Sequence, residues 1–260
     1  MKKILISVLL ATTALTGFAQ TPEEKGLAIA IEGDKRGEGF VDSKVKLKMV
    51  LVDAKGREST RDMRVKTMEG QAEGGDKSLM VFDTPKDQKG VAMLTFTHKT
   101  KSDDQWLYLP ALKRVKKISS RNKSGPFVGS EFAFEDISSQ EVEKYTYKHL
   151  RDETIDGQDV YVVESDPVDK YSGYKRRVAW IDKEHYRVLK IDFYDRKDSL
   201  LKTMTNSDYK LYLDKFWYPS LSVMSNHQTG KATRLEYENY EFKVGLKSKQ
   251  FTKNSLKRAK

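Results

Sequence analysis

The sequence predicts a mainly β protein, an antiparallel meander of about ten or eleven strands preceded by one short helix. From residue 45 onward, apolar and polar residues alternate in successive runs, which is the period of a strand with one wet face. Turn residues separate the runs at a roughly regular spacing, as in a meander. No boundary rich in Pro, Gly and Ser interrupts the series, so we expect residues 20–260 to form one domain.

The first nineteen residues have the pattern of a secretory signal peptide. Two lysines follow the initial Met, residues 4–15 are largely apolar, and Gly17 and Ala19 supply small residues before a cleavage site. The apolar run is about a dozen residues, whereas a membrane-spanning helix needs roughly 20. We therefore predict export, cleavage after Ala19, and a soluble mature chain in the periplasm with no transmembrane segment.

The composition excludes some classes of function. The chain has no cysteine, which excludes disulfides and thiol chemistry, and its net charge of +10 falls to +8 when Lys2 and Lys3 leave with the signal peptide. Basic and acidic residues are interspersed, which favours solubility over attraction to an anionic partner; only residues 113–117 and 257–260 form dense basic clusters. Export and the lack of a nucleic-acid-reading motif argue against a nucleic-acid partner.

The first element is a helix that begins after Thr21. Thr21, Pro22 and Glu24 form a capping box with Pro at the first helical position. The apolar residues Leu27, Ala28, Ile29 and Ile31 follow, and we expect the helix to end near Gly33.

Six candidate strand segments lie in the first half of the chain. The segment 106–109 is apolar on both faces, which predicts a strand deep in the sheet. The segment 69–77 is Gly-rich and polar, so it is interpreted as a turn. The six candidate segments cover residues 45–51, 58–66, 78–83, 91–99, 106–109 and 114–118.

Residues 119–140 interrupt the rhythm of strands. This stretch is polar, yet it contains Phe127, Phe132 and Phe134, which predicts a loop that folds back on the apolar body. Gly125 and Gly129 would permit the loop to move, although glycine in a loop is usually turn geometry alone. Seven further candidate segments cover residues 145–152, 160–165, 174–182, 188–195, 200–213, 216–226 and 231–244, and about ten or eleven strands are expected from all the candidates.

The sequence contains no motif for catalysis, a cofactor or a metal. The four histidines, His98, His149, His185 and His227, have no metal-ligand spacing, and no phosphate-binding loop or nucleophile motif is present. The acidic residues Glu131, Glu135 and Asp136 could form a general-acid pair, but they could equally cap backbone N–H groups. We therefore predict a protein that is not an enzyme and that uses no cofactor or metal ion.

The middle of the chain resembles the outer-membrane lipoprotein-sorting protein family of the LolA-like type. The resemblance is carried by residues 106–110 (WLYLP), 113–115 (KRV), 127–132 (FVGSEF) and the following Glu135-Asp136. It implies an open, strongly curved antiparallel half-barrel whose concave face is covered by helices or loops. It further implies a periplasmic carrier of the acyl chains of lipids or lipoproteins, served by an inner-membrane transporter or an outer-membrane acceptor.

Strand alternation supplies candidate residues for an apolar cavity in such a half-barrel. A one-residue slip would invert the set of any strand. The N-terminal helix and residues 119–140 are candidate covers, the second with Phe127, Phe132 and Phe134 as its lid residues. The candidate lining residues are Leu47, Met49, Met63, Val65, Phe82, Leu94, Phe96, Trp106, Tyr108, Val178, Trp180, Leu189, Ile191, Phe193 and Met224.

Three alternatives to a carrier stay open at the level of sequence. The same apolar residues could fill a closed core, which is the commoner role for any one of them. The protein could be an accessory module that docks on an envelope transporter complex through residues 113–117 and carries nothing. It could also be a hydrolase that uses the same pocket.

Overall fold

In the described part of the chain, thirteen antiparallel strands form one curved, open sheet, accompanied by two α-helices, six short 3-10 helices and a small hairpin. The computed structural model describes residues 20–70 and 74–258, so the predicted signal peptide lies outside the described residues. The α-helices are α1 (Pro22–Gly37) and α2 (Lys253–Arg258). The strands are β1 (Asp42–Val52), β2 (Glu58–Met68), β3 (Gly74–Phe82), β4 (Ala92–His98), β5 (Asp104–Leu109), β6 (Arg114–Ile118), β7 (Tyr145–Ile155), β8 (Gln158–Pro167), β9 (Tyr174–Asp182), β10 (Val188–Asp195), β11 (Leu200–Ser207), β12 (Lys210–Tyr212), β13 (Phe216–Tyr218), β14 (Leu221–Asn226) and β15 (Ala232–Phe242).

The sheet has the order β6-β5-β4-β3-β2-β1-β15-β14-β11-β10-β9-β8-β7. Strands adjacent in the sequence pair as a meander, and β15 returns to β1, which joins the two halves. The edge strands β6 and β7 do not pair with each other, so the barrel stays open. The predicted mainly β half-barrel is confirmed, with 13 strands in the sheet instead of ten or eleven.

The capping box of α1 is present as predicted. The Thr21 hydroxyl accepts from the Glu24 backbone N–H at 3.2 Å, and a Glu24 carboxylate oxygen accepts from the Thr21 N–H at 2.8 Å. The helix continues one turn past Gly33 to Gly37 and buries Gly26 and Ile29. No helix in the described part of the chain has the length and apolarity required to cross a membrane.

Two of the long predicted strands are broken. The segment 200–213 divides into β11 and β12, and the segment 216–226 divides into β13 and β14. Asp208, Leu213 and Asp214 all have φ near +50°, a left-handed conformation that a strand cannot contain. The chain therefore leaves the sheet after β11, forms the β12–β13 hairpin, and re-enters the sheet as β14.

Apolar side chains lie on both faces of the sheet. The main core fills much of the concave face of β1–β5, β10, β14 and β15, together with residues of the 119–140 loop. A second cluster lies on the opposite face of β3–β5 and is covered by Phe251 and by Leu256 of α2. A third cluster lies on the same outer face of β8 and β9.

Candidate ligand-binding cavity

The segment connecting the two edge strands folds into the concave side of the sheet. We call residues 119–140 the cover loop. Phe127 and Phe132 are 0% and 3% exposed, and Phe134 packs beside them. The Phe127 ring lies 6.0 Å from that of Phe82 on β3 and 5.6 Å from that of Phe134. The three phenylalanines thus pack against the apolar body, as their occurrence in a polar segment predicts.

The cover loop has a defined internal structure. The Phe127 N–H donates to the Phe132 carbonyl at 2.7 Å, and the Ser130 hydroxyl donates to the Phe127 carbonyl at 2.8 Å. Val128 and Gly129 both have left-handed backbone angles, which turn the chain between the two phenylalanines. These bonds place both rings on one side of a tight turn, so that both enter the core.

A buried ion pair attaches the cover loop to the sheet. The Lys202 ammonium on β11 donates to Asp136 at 2.8 Å and to the Glu131 carbonyl at 2.9 Å. Asp136 also accepts from the Tyr174 hydroxyl at 2.9 Å and from the Ala133 N–H at 2.7 Å. Burial, together with the adjacent carboxylate of Asp136, raises the pKa of Tyr174 well above its ordinary value. The phenol therefore stays protonated and can donate.

The other carboxylates of the loop are anchors as well. Glu131 accepts from the side-chain amide of Asn226 at 2.7 Å. Glu135 accepts from the Ser172 hydroxyl and from the Gly173 N–H, both at 2.8 Å. Burial raises the pKa of Glu135. These partners favour the second of the two roles considered for the acidic residues, the satisfaction of polar groups that fix the loop.

The cover loop leaves part of the concave face unfilled. A cavity of about 420 Å³ lies between Phe132 and Ile137 of the loop and strands β1, β2, β3, β11, β14 and β15. The segment 218–219, at the end of the β12–β13 hairpin, contributes to its rim. Its apolar lining consists of Phe40, Val45, Leu47, Met49, Val65, Met80, Phe132, Ile137, Met204, Pro219 and Leu235.

The polar lining residues lie at one end of the sheet. At this end β1, β3 and β14 begin, and β2, β11 and β15 end. Ser43 stands opposite Thr67 in the β1–β2 ladder, and Asn206 opposite Ser222 in the β11–β14 ladder. The Ser222 hydroxyl donates to the Asn206 side-chain oxygen at 2.6 Å. The cavity is therefore amphipathic, with polar groups at that end and apolar groups farther along the strands.

Tyrosines surround the polar end of the cavity. Tyr218 and Tyr240 line it, and their rings lie 5.1 Å apart. Burial raises the pKa of Tyr218 to about 12 and that of Tyr240 well above its ordinary value. Both hydroxyls are therefore neutral at physiological pH and able to donate a hydrogen bond.

Eight of the candidate lining residues lie on the concave side. Each of them belongs to the core that contains Phe127 and Phe132, and three also line the cavity. The eight are Leu47, Met49, Met63, Val65, Phe82, Ile191, Phe193 and Met224, of which Leu47, Met49 and Val65 line the cavity. Ligand binding by these residues stays a prediction.

The other seven candidates lie on the opposite face of the sheet. In β4, β5 and β9 the residues that face inward are one position away from those predicted. In β4 and β5, Met93 and Leu107 occupy the inner positions. Leu189 sits at an irregularity in the β9–β10 pairing. Leu94, Phe96, Trp106 and Tyr108 pack in the cluster beneath α2, and Val178, Trp180 and Leu189 pack in the outer cluster of β8 and β9.

Several lining residues were not among the candidates. Met80 has the same alternation as Phe82 on β3, and Leu235 is on the strand that pairs with Met49, so the pattern alone could have identified both. Tyr218 reaches the cavity only because the hairpin folds over its end, a long-range effect without a local sequence signal.

Each of the four histidines contacts another side chain. The His98 ring nitrogen is 3.1 Å from Asp104, that of His149 is 2.7 Å from Asp152, and that of His227 is 2.7 Å from the Thr203 hydroxyl. His185 stacks on Trp217 with ring centres 4.7 Å apart. Within residues 20–70 and 74–258, no group of three or more His, Cys, Asp or Glu side chains could hold a metal ion.

Comparison with known proteins places the fold among related structures. A protein-family model described as an uncharacterized protein matches residues 74–258. A crystal structure described as an outer membrane lipoprotein-sorting protein domain from Vibrio parahaemolyticus is 56% identical, with a TM-score of 0.89; the match covers 91% of this chain and all of that one. No curated protein matches the chain.

Two more distant structures have the same architecture. A DUF1329 family protein from Desulfovibrio piger is 29% identical over 91% of this chain and 99% of its own length, with a TM-score of 0.86. A LolA superfamily protein from Nitrosomonas europaea is 22% identical over 88% of this chain and 98% of its own, with a TM-score of 0.71, which shows similarity of fold.

Proposed function

Because this chain belongs to the LolA-like family of outer-membrane lipoprotein-sorting proteins, we propose that it is a periplasmic carrier that binds acyl chains of a lipid or lipoprotein in its concave cavity. The predicted signal peptide and the lipoprotein-sorting description of the Vibrio domain support an envelope location. The proposed role is binding and transfer, with no chemical step.

The observation that carries this proposal is the cavity beneath the cover loop. Its volume of about 420 Å³ is within the range of roughly 300–1,000 Å³ that is usual for small-molecule sites. Transfer of an acyl chain from water into such a site is favourable by about 0.8 kcal/mol per buried CH₂. Unfilled volume next to Leu47, Met49 and Met204 is therefore suited to hydrocarbon.

The polarity of the lining indicates how an amphiphile would be oriented. The hydrocarbon would lie among the apolar residues, and its polar end would lie near Ser43, Thr67 and the neutral tyrosines. The charged residues of the lining are both acids, Asp76 and Asp136, and Asp136 is already paired with Lys202. No lysine or arginine lines the described cavity. We therefore propose that an uncharged ester-linked acyl chain binds more tightly than a free fatty acid.

Displacement of a fluorescent acyl probe from the mature chain tests the proposal. Monoolein, a neutral ester, should displace the probe at lower concentration than oleate. The substitution Met204→Trp should weaken binding, because the larger side chain occupies the cavity. Thr205→Trp is the matched control, since Thr205 is the next residue on β11 and is exposed on the opposite face.

The two variants also separate specific binding from nonspecific adsorption. Equal loss of acyl binding in both variants, or no loss of binding in Met204→Trp, would contradict binding in the cavity.

Native mass spectrometry of protein purified from the periplasm addresses the alternative of an accessory module. A co-purifying acyl lipid supports a carrier, and an empty protein in a stable complex with another protein supports the accessory role.

A further inference from the structure

A second groove lies on the outer face of the sheet, behind the cavity wall. It is about 560 Å³ in volume and runs between β2, β3 and the C-terminal segment that contains α2. Its floor is formed by Leu79 and Val81 of β3. Because side chains alternate along a strand, Met80 between them faces the cavity. The groove and the cavity thus share two strands but have no lining residue in common.

Among the residues that the structure describes, the groove is lined by four basic side chains and by no acidic one. The four are Arg64, Lys66, Lys249 and Arg258. Arg64 forms an ion pair with Asp83 at 2.7 Å. Among residues 20–70 and 74–258, no carboxylate lies within 4 Å of the Lys66 or Lys249 ammonium group. The remaining lining residues are Gln250, Thr252, Asn254 and Ser255, all polar and uncharged.

The neighbouring strand increases this positive charge. Lys44 stands directly opposite Lys66, and Lys46 directly opposite Arg64, in the β1–β2 ladder. Like charges in such positions repel each other. Glu241 and Glu238 face Lys44 and Lys46 from the β15 side, so part of the repulsion is relieved there. On the groove side, burial and the charges of Lys44 and Arg64 lower the pKa of Lys66.

We propose that this groove, lined by Arg64, Lys66, Lys249 and Arg258, binds an acidic segment of a partner protein. Charge complementarity requires an anionic occupant, and the polar side chains of the C-terminal segment can bond to a peptide backbone. A lipid tail is a poorer occupant, because Leu79 and Val81 are each only 6% exposed and offer little apolar area. A flat bilayer is also a poorer occupant, because the floor of the groove is recessed between the strands and the C-terminal segment.

The test uses the mature chain and two fluorescein-labelled peptides. In one peptide glutamate alternates with leucine, and in the other glutamine replaces every glutamate. The acidic peptide should bind and the glutamine peptide should bind at least about tenfold more weakly, because each lost ion pair removes up to about a factor of five. Hydrogen exchange should show slower exchange in residues 249–258 when the acidic peptide is bound.

Charge reversal locates the site. The double variant Lys66→Glu with Arg258→Glu should weaken binding of the acidic peptide about tenfold or more. The matched control, Lys55→Glu with Lys197→Glu, makes the same change in net charge at exposed turn residues and should leave affinity within about threefold. Lys66→Gln provides a milder variant if the double reversal fails to fold.

Three results would overturn the proposal. These are equal weakening in the two double variants, equal binding of the two peptides, or binding of phosphatidylglycerol vesicles through Lys66 and Arg258 without binding of the acidic peptide. Monoolein binding measured in the same variants reports on the cavity. A failed peptide assay with normal monoolein binding would reject the groove alone and leave the carrier function intact.

Discussion

Lys202 is the buried lysine at the point where the cover loop meets the sheet. It is 4% exposed, and its ammonium contacts Asp136 and the Glu131 carbonyl. Removal of one partner from a buried pair leaves an uncompensated charge, which costs about 3–5 kcal/mol. We expect Asp136→Ala to lower the free energy of unfolding, measured in urea, by about that amount.

Removal of the other partner, Lys202, should lower the free energy of unfolding by less. In Lys202→Met, Asp136 keeps the hydrogen bonds from Tyr174 and Ala133, so its charge stays partly compensated. The double variant Lys202→Met with Asp136→Leu should be more stable than Asp136→Ala, because neither charge remains buried. A larger loss of unfolding free energy in Lys202→Met than in Asp136→Ala would contradict this account of the ion pair.

Asp152 provides a pH-dependent contact. It accepts from Lys183 at 2.9 Å and from the His149 ring at 2.7 Å. The hydrogen bond from Lys183, assisted by that from His149, lowers the pKa of Asp152 to about 2 from an ordinary 3.8. A lowered carboxyl pKa stabilises the fold above pH 3.8, and this stabilisation is lost as the pH falls through about 2.

The variant Asp152→Asn should therefore be less stable than the wild type at neutral pH. The side chain is 47% exposed, so solvent screening limits the difference to about 0.2–1 kcal/mol. Urea unfolding at neutral pH and at successively lower pH checks this, and the two proteins should converge near pH 2. If the difference in unfolding free energy between the two proteins grew as the pH fell, the proposed role of Asp152 would be contradicted.

Among the elements, α1 offers a test of how a helix is held against the sheet. A Cβ atom at Gly26 would lie 2.7 Å from the backbone nitrogens of Lys148 and His149, whereas one at Gly33 would meet nothing within 4 Å. Alanine favours a helix over glycine by about 1 kcal/mol. We expect Gly33→Ala to raise the free energy of unfolding by up to that amount.

At Gly26 the steric clash should outweigh the same helical preference. Gly26→Ala should displace α1 from β7 and destabilise the protein by about 1–3 kcal/mol. Hydrogen exchange should become faster in residues 22–37, in contrast to the Gly33→Ala protein. A stabilising Gly26→Ala would mean that α1 can move away from β7 without loss.

The cover loop shows what local sequence can and cannot predict about an element. Three phenylalanines in a polar stretch were sufficient to predict that it folds onto the core. The bonds that fix it come from Lys202, Tyr174, Ser172 and Asn226, which are 37 to 95 positions away along the chain from their partners and have no local signal. So many anchors favour a loop that remains in place as a wall of the cavity.

Which side chains of a strand face inward could be predicted where the other face of the strand is exposed to solvent. In β1 the lysines Lys44, Lys46 and Lys48 mark the outer face, so Leu47 and Met49 were assigned correctly to the inner face. In β4 and β5 both faces are apolar, and alternation alone cannot distinguish Leu94 from Met93 or Trp106 from Leu107. The distinction depends on Phe251 and Leu256, which reach β3–β5 from the far end of the sequence.

At the scale of the whole molecule, an open sheet must protect its two edges. The edge strand β6 contains Arg114, Lys116 and Lys117, and charged side chains on an edge oppose pairing with another chain. Lys117 also forms an ion pair with Asp104 at 2.7 Å. This gives the basic run at residues 113–117 a structural role that is independent of any partner.

Strands β3–β5 are covered on both faces, and their stability should depend on both covers. β3–β5 lie between the main core on the inside and the C-terminal segment on the outside. Leu256 is 0% exposed, so Leu256→Ala should cost about 2–5 kcal/mol from lost contacts and the cavity left behind. Leu213→Ala is the matched control, because Leu213 is 51% exposed and its removal should change stability by less than about 0.5 kcal/mol.

Hydrogen exchange should also show which strands lose stability in Leu256→Ala. Hydrogen exchange in Leu256→Ala should become faster in β4 and β5, which contact α2, while β8 and β9 retain their protection unless the whole protein unfolds. Uniformly faster exchange in every strand would show that the sheet opens as one cooperative unit. In that case the C-terminal segment would stabilise the cavity wall through global folding and not through its local contact with β3–β5.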